Sequence, residues 1–190
     1  PQQVDQCDAW MITGSKFGVY EDHAWIEKLK EFLRAAYDAD IPIIGICFGH
    51  QILAEALGGR VIKSDKGWGV GIHQYPIHKQ QSWIQGDEET LSIQAYHQDQ
   101  VVELPEDAQV VAGTEFCPNA MLVYGNKPLS FQGHPEFRED YARDLIEARR
   151  GTILSDEIAD GGIKRVGLPH DSEKVAKWIM AFLDQHKAVE

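Results

Sequence analysis

The chain has 190 residues, of which 43% are hydrophobic, so it is long enough to fold as one domain around a substantial core. Its 18 basic and 30 acidic side chains give a formal net charge of -12, which would repel a phosphate backbone, so nucleic acid is not an expected partner. No apolar run reaches the roughly 18 to 20 residues of a membrane span, and no basic-then-apolar signal segment opens the chain, so no membrane partner is expected either.

The cysteines indicate a compartment. Cys7, Cys47 and Cys117 form an odd and widely spaced set, and no two of them have the short spacing of a metal-binding or redox pair. This usage is typical of a reducing environment. We therefore expect a cytoplasmic protein.

The first sixty residues alternate between two patterns. Residues 9–12 form a short apolar run that suits a buried strand ending in the turn Thr13-Gly14-Ser15. Residues 41–46 form a continuous apolar run, typical of a strand buried on both faces of a parallel sheet. Residues 23–39 carry apolar side chains three and four positions apart, which predicts an amphipathic helix. Residues 51–57 predict a second helix, closed by Gly58 and Gly59. Strands and helices in alternation favour an α/β core.

The middle of the chain has a different pattern, in which apolar and polar residues roughly alternate. This pattern predicts antiparallel strands at 70–77, 91–95, around Val110 and at 121–123. A further strand is expected at 128–132, and helices are expected at 139–150 and 172–186. We predict a three-layer α/β/α, flavodoxin-like core with a mostly parallel central sheet and a small antiparallel sheet, in a single domain over residues 1–190.

The segment Gly45-Ile46-Cys47-Phe48-Gly49 lies where a predicted buried strand gives way to a helix. A G-x-C-x-G sequence at such a junction is typical of a nucleophile elbow, because small residues on either side let the backbone turn tightly and expose the side chain at the edge of the sheet. The N-terminus of the following helix would favour a thiolate at Cys47. The alternative is that Cys47 is a small buried hydrophobic residue, the commoner fate of a lone cysteine.

A thiol nucleophile needs a base, and His134-Pro135-Glu136 follows the predicted strand at 128–132. Pro135 favours an extended backbone at His134, so side chains two positions apart can project to the same side. His134 would then transfer the proton while Glu136 orients the imidazole. Taken alone, the triplet also fits an ordinary exit from a strand with a solvated histidine.

An oxyanion would need hydrogen-bond donors near Cys47. The backbone N–H of Phe48 lies beside the nucleophile, and the turn Thr13-Gly14-Ser15 at the end of the neighbouring strand can supply another donor. Gly14 would permit the close approach of that turn. Its simpler interpretation is an ordinary turn glycine.

Together these segments resemble the class I, or triad-type, glutamine amidotransferases. The resemblance covers most of the chain and rests on motifs in the family's order, namely Ile12-Thr13-Gly14-Ser15, Gly45-Ile46-Cys47-Phe48-Gly49-His50-Gln51, Tyr96-His97-Gln98-Asp99-Gln100-Val101 and Phe131-Gln132-Gly133-His134-Pro135-Glu136-Phe137. It implies that Cys47 forms a γ-glutamyl thioester that water hydrolyses, and that His134 and Glu136 complete the triad.

The resemblance also implies the roles of further residues. Gln51 and His97 would line the glutamine pocket, and the N–H groups of Ser15 and Phe48 would hold the oxyanion. Two features depart from the family pattern: Ser15 stands where most relatives have a second glycine, and a strand and helix that precede residues 7–15 in relatives are expected to be missing.

Three functions remain open. The first is a cysteine-dependent amidase that acts on glutamine or a γ-glutamyl compound without a cofactor and passes ammonia to a separate synthase subunit. The second, suggested by similarity to free-standing GMP-synthase-like proteins and plant γ-glutamyl peptidases, is a stand-alone γ-glutamyl peptidase. The third is a catalytically silent regulatory subunit. A zinc site is not expected, because His50, His97 and the triad residues lack the paired spacing of a tetrahedral site.

Overall fold

The computed structural model describes residues 1, 3–125 and 127–186. The helices in this part of the chain are a short 3-10 helix at Val4–Gln6 and α1 (Ala24–Asp38), α2 (Phe48–Ala56), α3 (Glu139–Arg149), α4 (Asp156–Ile163) and α5 (Ser172–Gln185). The strands are β1 (Trp10–Ile12), β2 (Ile43–Ile46), β3 (Arg60–Lys63), β4 (Gly69–Pro76), β5 (Thr90–His97), β6 (Asp99–Glu103), β7 (Ala108–Ala112), β8 (Met121–Tyr124) and β9 (Pro128–Phe131). None of the helices described combines the length and apolar character that crossing a membrane requires.

A five-stranded sheet in the order β1-β2-β9-β8-β7 forms the centre of the fold. β1, β2 and β9 are parallel, with Ile43 opposite both Trp10 and Pro128. β8 runs antiparallel to β9 and β7, so the other four strands share one direction. Every residue of β2 is buried, which explains its continuous apolar sequence. The predicted α/β class with a mostly parallel central sheet is confirmed.

The side chains of β2 alternate between two layers, as the two-residue period of a strand requires. Ile43 belongs to a hydrophobic cluster that includes Ile26 of α1 and Leu53 of α2. Ile44 belongs to the opposite cluster, which includes Trp178 of α5 and Leu91 of β5. The central sheet therefore lies between α1 and α2 on one face and α5 with the β4–β5 pair on the other.

The small antiparallel sheet is two separate strand pairs. β4 pairs with β5 along its whole length, from Gly69 opposite His97 to Pro76 opposite Thr90, and β3 pairs with β6. The segments predicted around Val110 and at 121–123 instead join the central sheet as β7 and β8. β8 is buried at all four positions, so it needs the two-sided cover of the central sheet.

Besides the short 3-10 helix at Val4–Gln6, three elements were not predicted. β3 has only two apolar residues between charged ends, and the polar β6 lies inside the motif around His97. α4 contains two glycines, which weaken helix propensity. Ser155 offsets this by accepting a hydrogen bond from the N–H of Ile158, and Gly162 lets α4 approach β4, where an added Cβ would lie 2.8 Å from Val70. α2 also begins at Phe48 rather than at residue 51.

Candidate active site

Cys47 lies at a sharp turn between β2 and α2. It has φ 53° and ψ -103°, a left-handed backbone that only a constrained turn holds in a non-glycine residue. Its N–H donates to the carbonyl of Phe131 at 2.8 Å, which ties the turn to β9. An added Cβ on Gly45 would lie 2.6 Å from the carbonyl oxygen of Gly49, and one on Gly49 would overlap the carbonyl oxygen of Ile12. The two small residues of the motif are therefore steric requirements of the elbow.

The elbow leaves Cys47 in an environment suited to negative charge. The residue is 7% exposed and lines a cavity of about 640 Å³. It is the N-cap residue of α2, where the helix dipole and the free N–H groups of the first turn favour an anion. Burial therefore does not seal the sulfur away from ligands.

His134 follows β9 and is held on three sides. Its N–H donates to the carbonyl of Gln94 at 2.7 Å, and its Nδ1 donates to Oε1 of Glu136 at 2.7 Å. The ring of Phe137 stacks on the imidazole with centroids 3.8 Å apart and planes 13° from parallel. With Nδ1 occupied by Glu136, Nε2 is the nitrogen left for a partner across the cavity.

Cys47 is the neighbour on that side, because Cys47 and His134 line the same cavity and both lie within 4 Å of the position that a Cβ on Gly14 would take. Burial lowers the pKa of His134, but the hydrogen bonds and charges of Cys47 and Glu136 outweigh this effect and raise the pKa to about 9. The imidazole is therefore protonated at neutral pH. The arrangement can hold a proton between a sulfur and a carboxylate-anchored ring.

Gly14 and Ser15 form a turn directly beside this pair. An added Cβ on Gly14 would lie 2.9 Å from Cε1 of His134 and 3.8 Å from Cβ of Cys47, so only glycine fits without displacing the ring. Ser15 is exposed, and its Oγ accepts a hydrogen bond from the N–H of Phe17 at 3.2 Å. The turn therefore lies beside Cys47 and His134.

Gln51 and His97 converge on one backbone carbonyl. Nε2 of Gln51 donates to the carbonyl of Asp99 at 3.0 Å, and Nδ1 of His97 donates to the same oxygen at 3.2 Å. Gln51 also donates to Oε1 of Gln132 at 3.2 Å. Burial, and next the charge of His73, lower the pKa of His97 to about 3, so its ring is neutral. Both side chains line the cavity and fix the position of Asp99.

The cavity has a volume of about 640 Å³. The predicted site residues in its lining are Gly14, Ser15, Cys47, Gln51, His97, His134 and Glu136. Phe48 does not line it, because its side chain packs against Trp25 with ring centroids 5.5 Å apart. Its N–H lies in the first turn of α2, where backbone donors have no partner inside the helix. Within the described residues, no three His, Cys, Asp or Glu side chains form a group that could hold a metal ion.

Two parts of this cavity lining were not predicted from the sequence. One is the loop that carries Tyr20, whose hydroxyl donates to the carboxylate of Asp99 at 3.0 Å. The other is one face of α3, which presents Tyr141, Leu145 and Arg149 to the cavity. These three residues are four positions apart, and that spacing could have marked them as one helical face. Nothing in the sequence says that this face borders the site.

The site combines a cysteine on an elbow with a histidine–glutamate pair that lines the same cavity, an arrangement that cysteine-dependent hydrolases use. The family model described as glutamine amidotransferase class-I matches residues 3–148. The chain belongs to this family, which confirms the predicted family and the predicted enzyme class, an amidohydrolase.

Individual relatives agree with this assignment. A glutamine amidotransferase-like protein of Schizosaccharomyces pombe is 33% identical over 96% of this chain and 75% of its own length. Gamma-glutamyl peptidase 3 of Arabidopsis thaliana is 32% identical over 83% of this chain and 66% of its own length. The crystal structure of a glutamine amidotransferase from Methylobacillus flagellatus has a TM-score of 0.79 at 22% identity, over 100% of this chain and 81% of that one, and shows the fold. The chain is thus shorter than each of these proteins.

Proposed function

We propose that this chain hydrolyses the γ-amide bond of glutamine or of a γ-glutamyl compound, with Cys47 as the nucleophile, His134 as the general acid and base, and Glu136 as the group that orients His134. The observation that carries the proposal is the arrangement of the three side chains. Cys47 lies on the elbow at the N-terminus of α2 and lines the same cavity as His134, whose Nδ1 is held by Glu136 at 2.7 Å. The raised pKa of His134, about 9, supports the proposal. A buried imidazole that stays protonated beside a sulfur favours the thiolate needed for attack.

The acylation step follows from this pair. The thiolate of Cys47 attacks the γ-carbonyl carbon, and the C–N bond breaks as His134 gives its proton to the departing nitrogen. The products are a γ-glutamyl thioester and ammonia or an amine. The hydrogen bond from Nδ1 of His134 to Glu136, 2.7 Å long, keeps the ring oriented throughout.

In deacylation the proton moves in the opposite direction, from the attacking water to His134. Neutral His134 takes a proton from water, the resulting hydroxide attacks the thioester carbon, and the sulfur of Cys47 leaves as thiolate beside the reprotonated ring. In both steps the carbonyl oxygen becomes an anion. The N–H of Phe48 in the first turn of α2 and the N–H of Ser15 beside Gly14 are the proposed donors, supported by the closeness of Gly14 to Cys47.

The glutamyl end of the substrate would lie beside Asp99. Gln51 and His97 fix the backbone of Asp99, and the carboxylates of Asp99 and Glu21 line the same cavity. They offer negative charge to the α-ammonium group, while Lys63, also in the lining, offers positive charge to the α-carboxylate. Gln51 and His97 therefore act by positioning this end of the cavity.

Where glutamine is the substrate, ammonia is the product, and we propose a separate synthase subunit as its acceptor. A γ-glutamyl compound would need no such partner, and the similarity to the Arabidopsis peptidase favours this second candidate. We place the chain in the cytoplasm, a proposal supported by its three free cysteines, Cys7, Cys47 and Cys117.

Turnover tests the proposal directly. The chain is incubated with glutamine, glutathione and γ-glutamyl dipeptides, and ammonia, glutamate and released amine are quantified. We expect Cys47→Ala to reduce turnover by about 10⁴-fold or more, because the nucleophile is lost. The matched control is Cys7→Ala at an exposed cysteine, which should keep the wild-type rate. Wild-type turnover by Cys47→Ala would refute the assignment.

A glutamine-like diazoketone provides a second test, by peptide mapping of the labelled cysteine. Cys47 should react first, because His134 and the N-terminus of α2 favour its thiolate. Burial raises the pKa of Cys117 to about 12, so that thiol stays protonated and inert. Equal labelling of Cys7, Cys47 and Cys117 would contradict an activated thiol at the elbow.

A further inference from the structure

One side of the cavity is formed by α3. Tyr141, Leu145 and Arg149 of this helix line the cavity, and we call these three residues the α3 wall. The wall begins close to the reacting groups, since the ring of Tyr141 meets Phe137 edge-on at 4.7 Å and Phe137 stacks on His134. A substrate atom that leaves the carbon attacked by Cys47 on the side of His134 would therefore move toward the α3 wall.

Arg149 stands out among the arginines of the chain. Every other arginine donates at least one side-chain hydrogen bond to a carboxylate or a backbone carbonyl, namely Arg34, Arg60, Arg138, Arg143, Arg150 and Arg165. Within the described residues, none forms a hydrogen bond or salt bridge with the guanidinium of Arg149. Its position in the last turn of α3 suits the helix dipole, but the dipole does not occupy its N–H donors.

A second polar group without a partner lies near Arg149. The hydroxyl of Tyr96 is buried and has no hydrogen-bond partner among the described residues, although the residue lines the cavity. Arg149 and Tyr141 line the same cavity as Tyr96. The ring of Tyr96 also contacts Trp68, with centroids 5.4 Å apart. Buried hydroxyls are normally hydrogen-bonded, so a ligand group is the expected partner.

The size of the cavity also favours a ligand larger than glutamine. A volume of about 640 Å³ falls within the roughly 300–1,000 Å³ of sites that bind drug-sized molecules. Glutamine is much smaller, and its leaving group, ammonia, has neither an apolar part nor a negative charge. Free glutamine would leave the aromatic rings and the cation of the α3 wall without a function.

We propose that the α3 wall, together with Tyr96, binds the leaving group of a γ-glutamyl peptide, with Arg149 paired to the carboxylate of that leaving group and Tyr141 packed against its apolar side chain. This inference rests on the proposed function and narrows its substrate from any γ-glutamyl amide to a γ-glutamyl amino acid or peptide. The C–N bond that breaks is the γ-peptide bond. His134 gives its proton to the departing α-nitrogen, and the amino acid leaves as a free amine.

The test compares two substrates that differ only in the leaving-group carboxylate, γ-glutamylphenylalanine and γ-glutamylphenylalaninamide. We expect wild-type kcat/KM to favour the acid by about tenfold, the low end for a charge-assisted hydrogen bond, because Arg149 is exposed. Arg149→Gln should reduce this ratio to about one. The matched control is Arg143→Gln on the same helix, outside the cavity and paired with Glu139, which should retain the tenfold ratio.

Two outcomes would overturn the inference, and they are distinguishable. If wild type hydrolyses both substrates in a Cys47-dependent manner but Arg149→Gln keeps the wild-type ratio, or wild type has no preference, the subsite is wrong and the proposed function stands. If wild type hydrolyses neither these substrates nor glutamine, the proposed function fails and the subsite fails with it.

Discussion

The cavity has two walls built in different ways. The elbow wall, around Cys47, is made of backbone: β1, β2 and α2 approach so closely that Gly45 and Gly49 have no room for a side chain. The α3 wall is made of side chains on a partly exposed helix, where Tyr141 is 53% exposed and Arg149 is exposed. Changes at the elbow disturb the fold, whereas changes at the α3 wall replace one solvent-accessible side chain with another.

The difference between the two walls suits different roles, the reaction at the elbow wall and substrate selectivity at the α3 wall. The elbow wall positions the nucleophile through contacts that tolerate no added atom, which suits a reaction that requires accurate placement. The α3 wall can change without repacking the core, which suits the recognition of different leaving groups. Substitutions in the two walls should therefore differ in kind as well as in size.

The largest effect is expected at Gly49. Gly49→Ala places a Cβ on the carbonyl of Ile12, so β1 and α2 must separate, and the free energy of unfolding should fall by about 3 kcal/mol or more. Gly161→Ala in α4 is the control, because its Cβ would meet Arg165 at an ordinary 3.6 Å and should stabilise the helix by up to about 1 kcal/mol. Urea unfolding measures both, and equal stability of the two variants would remove the steric account of the elbow.

Glu136 should have the next largest effect. Glu136→Gln removes a charge that helps to raise the pKa of His134 to about 9, and kcat/KM should fall by about 100-fold. Activity requires the imidazolium proton, so it is lost as pH rises through this pKa, and the variant should lose it at lower pH than wild type. The pH profile of kcat/KM is the measurement. If the alkaline limb of the variant's pH profile stays at the wild-type pH or moves to higher pH, Glu136 does not stabilise the protonated form of His134.

Substitution of Gly14 should have a smaller effect, and the effect should be on kcat/KM. Gly14→Ala introduces a Cβ at 2.9 Å from Cε1 of His134, and the ring must move away from Cys47 to accept it. Displacement of a reacting group by a fraction of an ångström should lower kcat/KM by about tenfold. Steady-state kinetics at pH 7 checks this, and a variant as active as wild type would mean that the ring has room to adjust.

The smallest effect is expected at the α3 wall. Tyr141→Ala should change the free energy of unfolding by no more than about 0.5 kcal/mol, because the side chain is half exposed. It should raise KM for γ-glutamylphenylalanine by about three- to fivefold, since an aromatic contact is lost. Tyr141→Phe keeps the ring and serves as the control. A loss of stability like that of Gly49→Ala would erase the distinction between the two walls.

Much of the reaction centre could be predicted from local patterns. The interval from Gly45 to Gly49 identifies the elbow because tight turns exclude side chains wherever they occur. The two-residue interval from His134 to Glu136 places their side chains together through the backbone alone. The strands β2 and β9 were also predictable, since strands buried on both faces are continuously apolar. β1 was predicted as a buried strand, but it lies at the edge of the sheet, so it is only partly buried and Met11 is 55% exposed.

The remainder depends on partners distant in sequence. Weak local patterns are found in the sequences of β3, β6 and α4. These elements form because other elements pack against them. In α4, for example, Gly162 lies against Val70 of β4. The lining by Tyr20 and the α3 wall had no signal of its own, because a helical face looks alike whether it borders a site or solvent.

The order of the amino acids was sufficient to identify the elbow at Cys47, the His134–Glu136 pair and the α/β class, because these depend on turns, spacing and burial within short segments. Folding was needed to bring β2 beside β9, so that Cys47 lies near His134, and to bring α3 to the same cavity as Asp99. The physical reason is that contacts between remote segments are selected by the packing of the whole core. No short stretch of sequence encodes them.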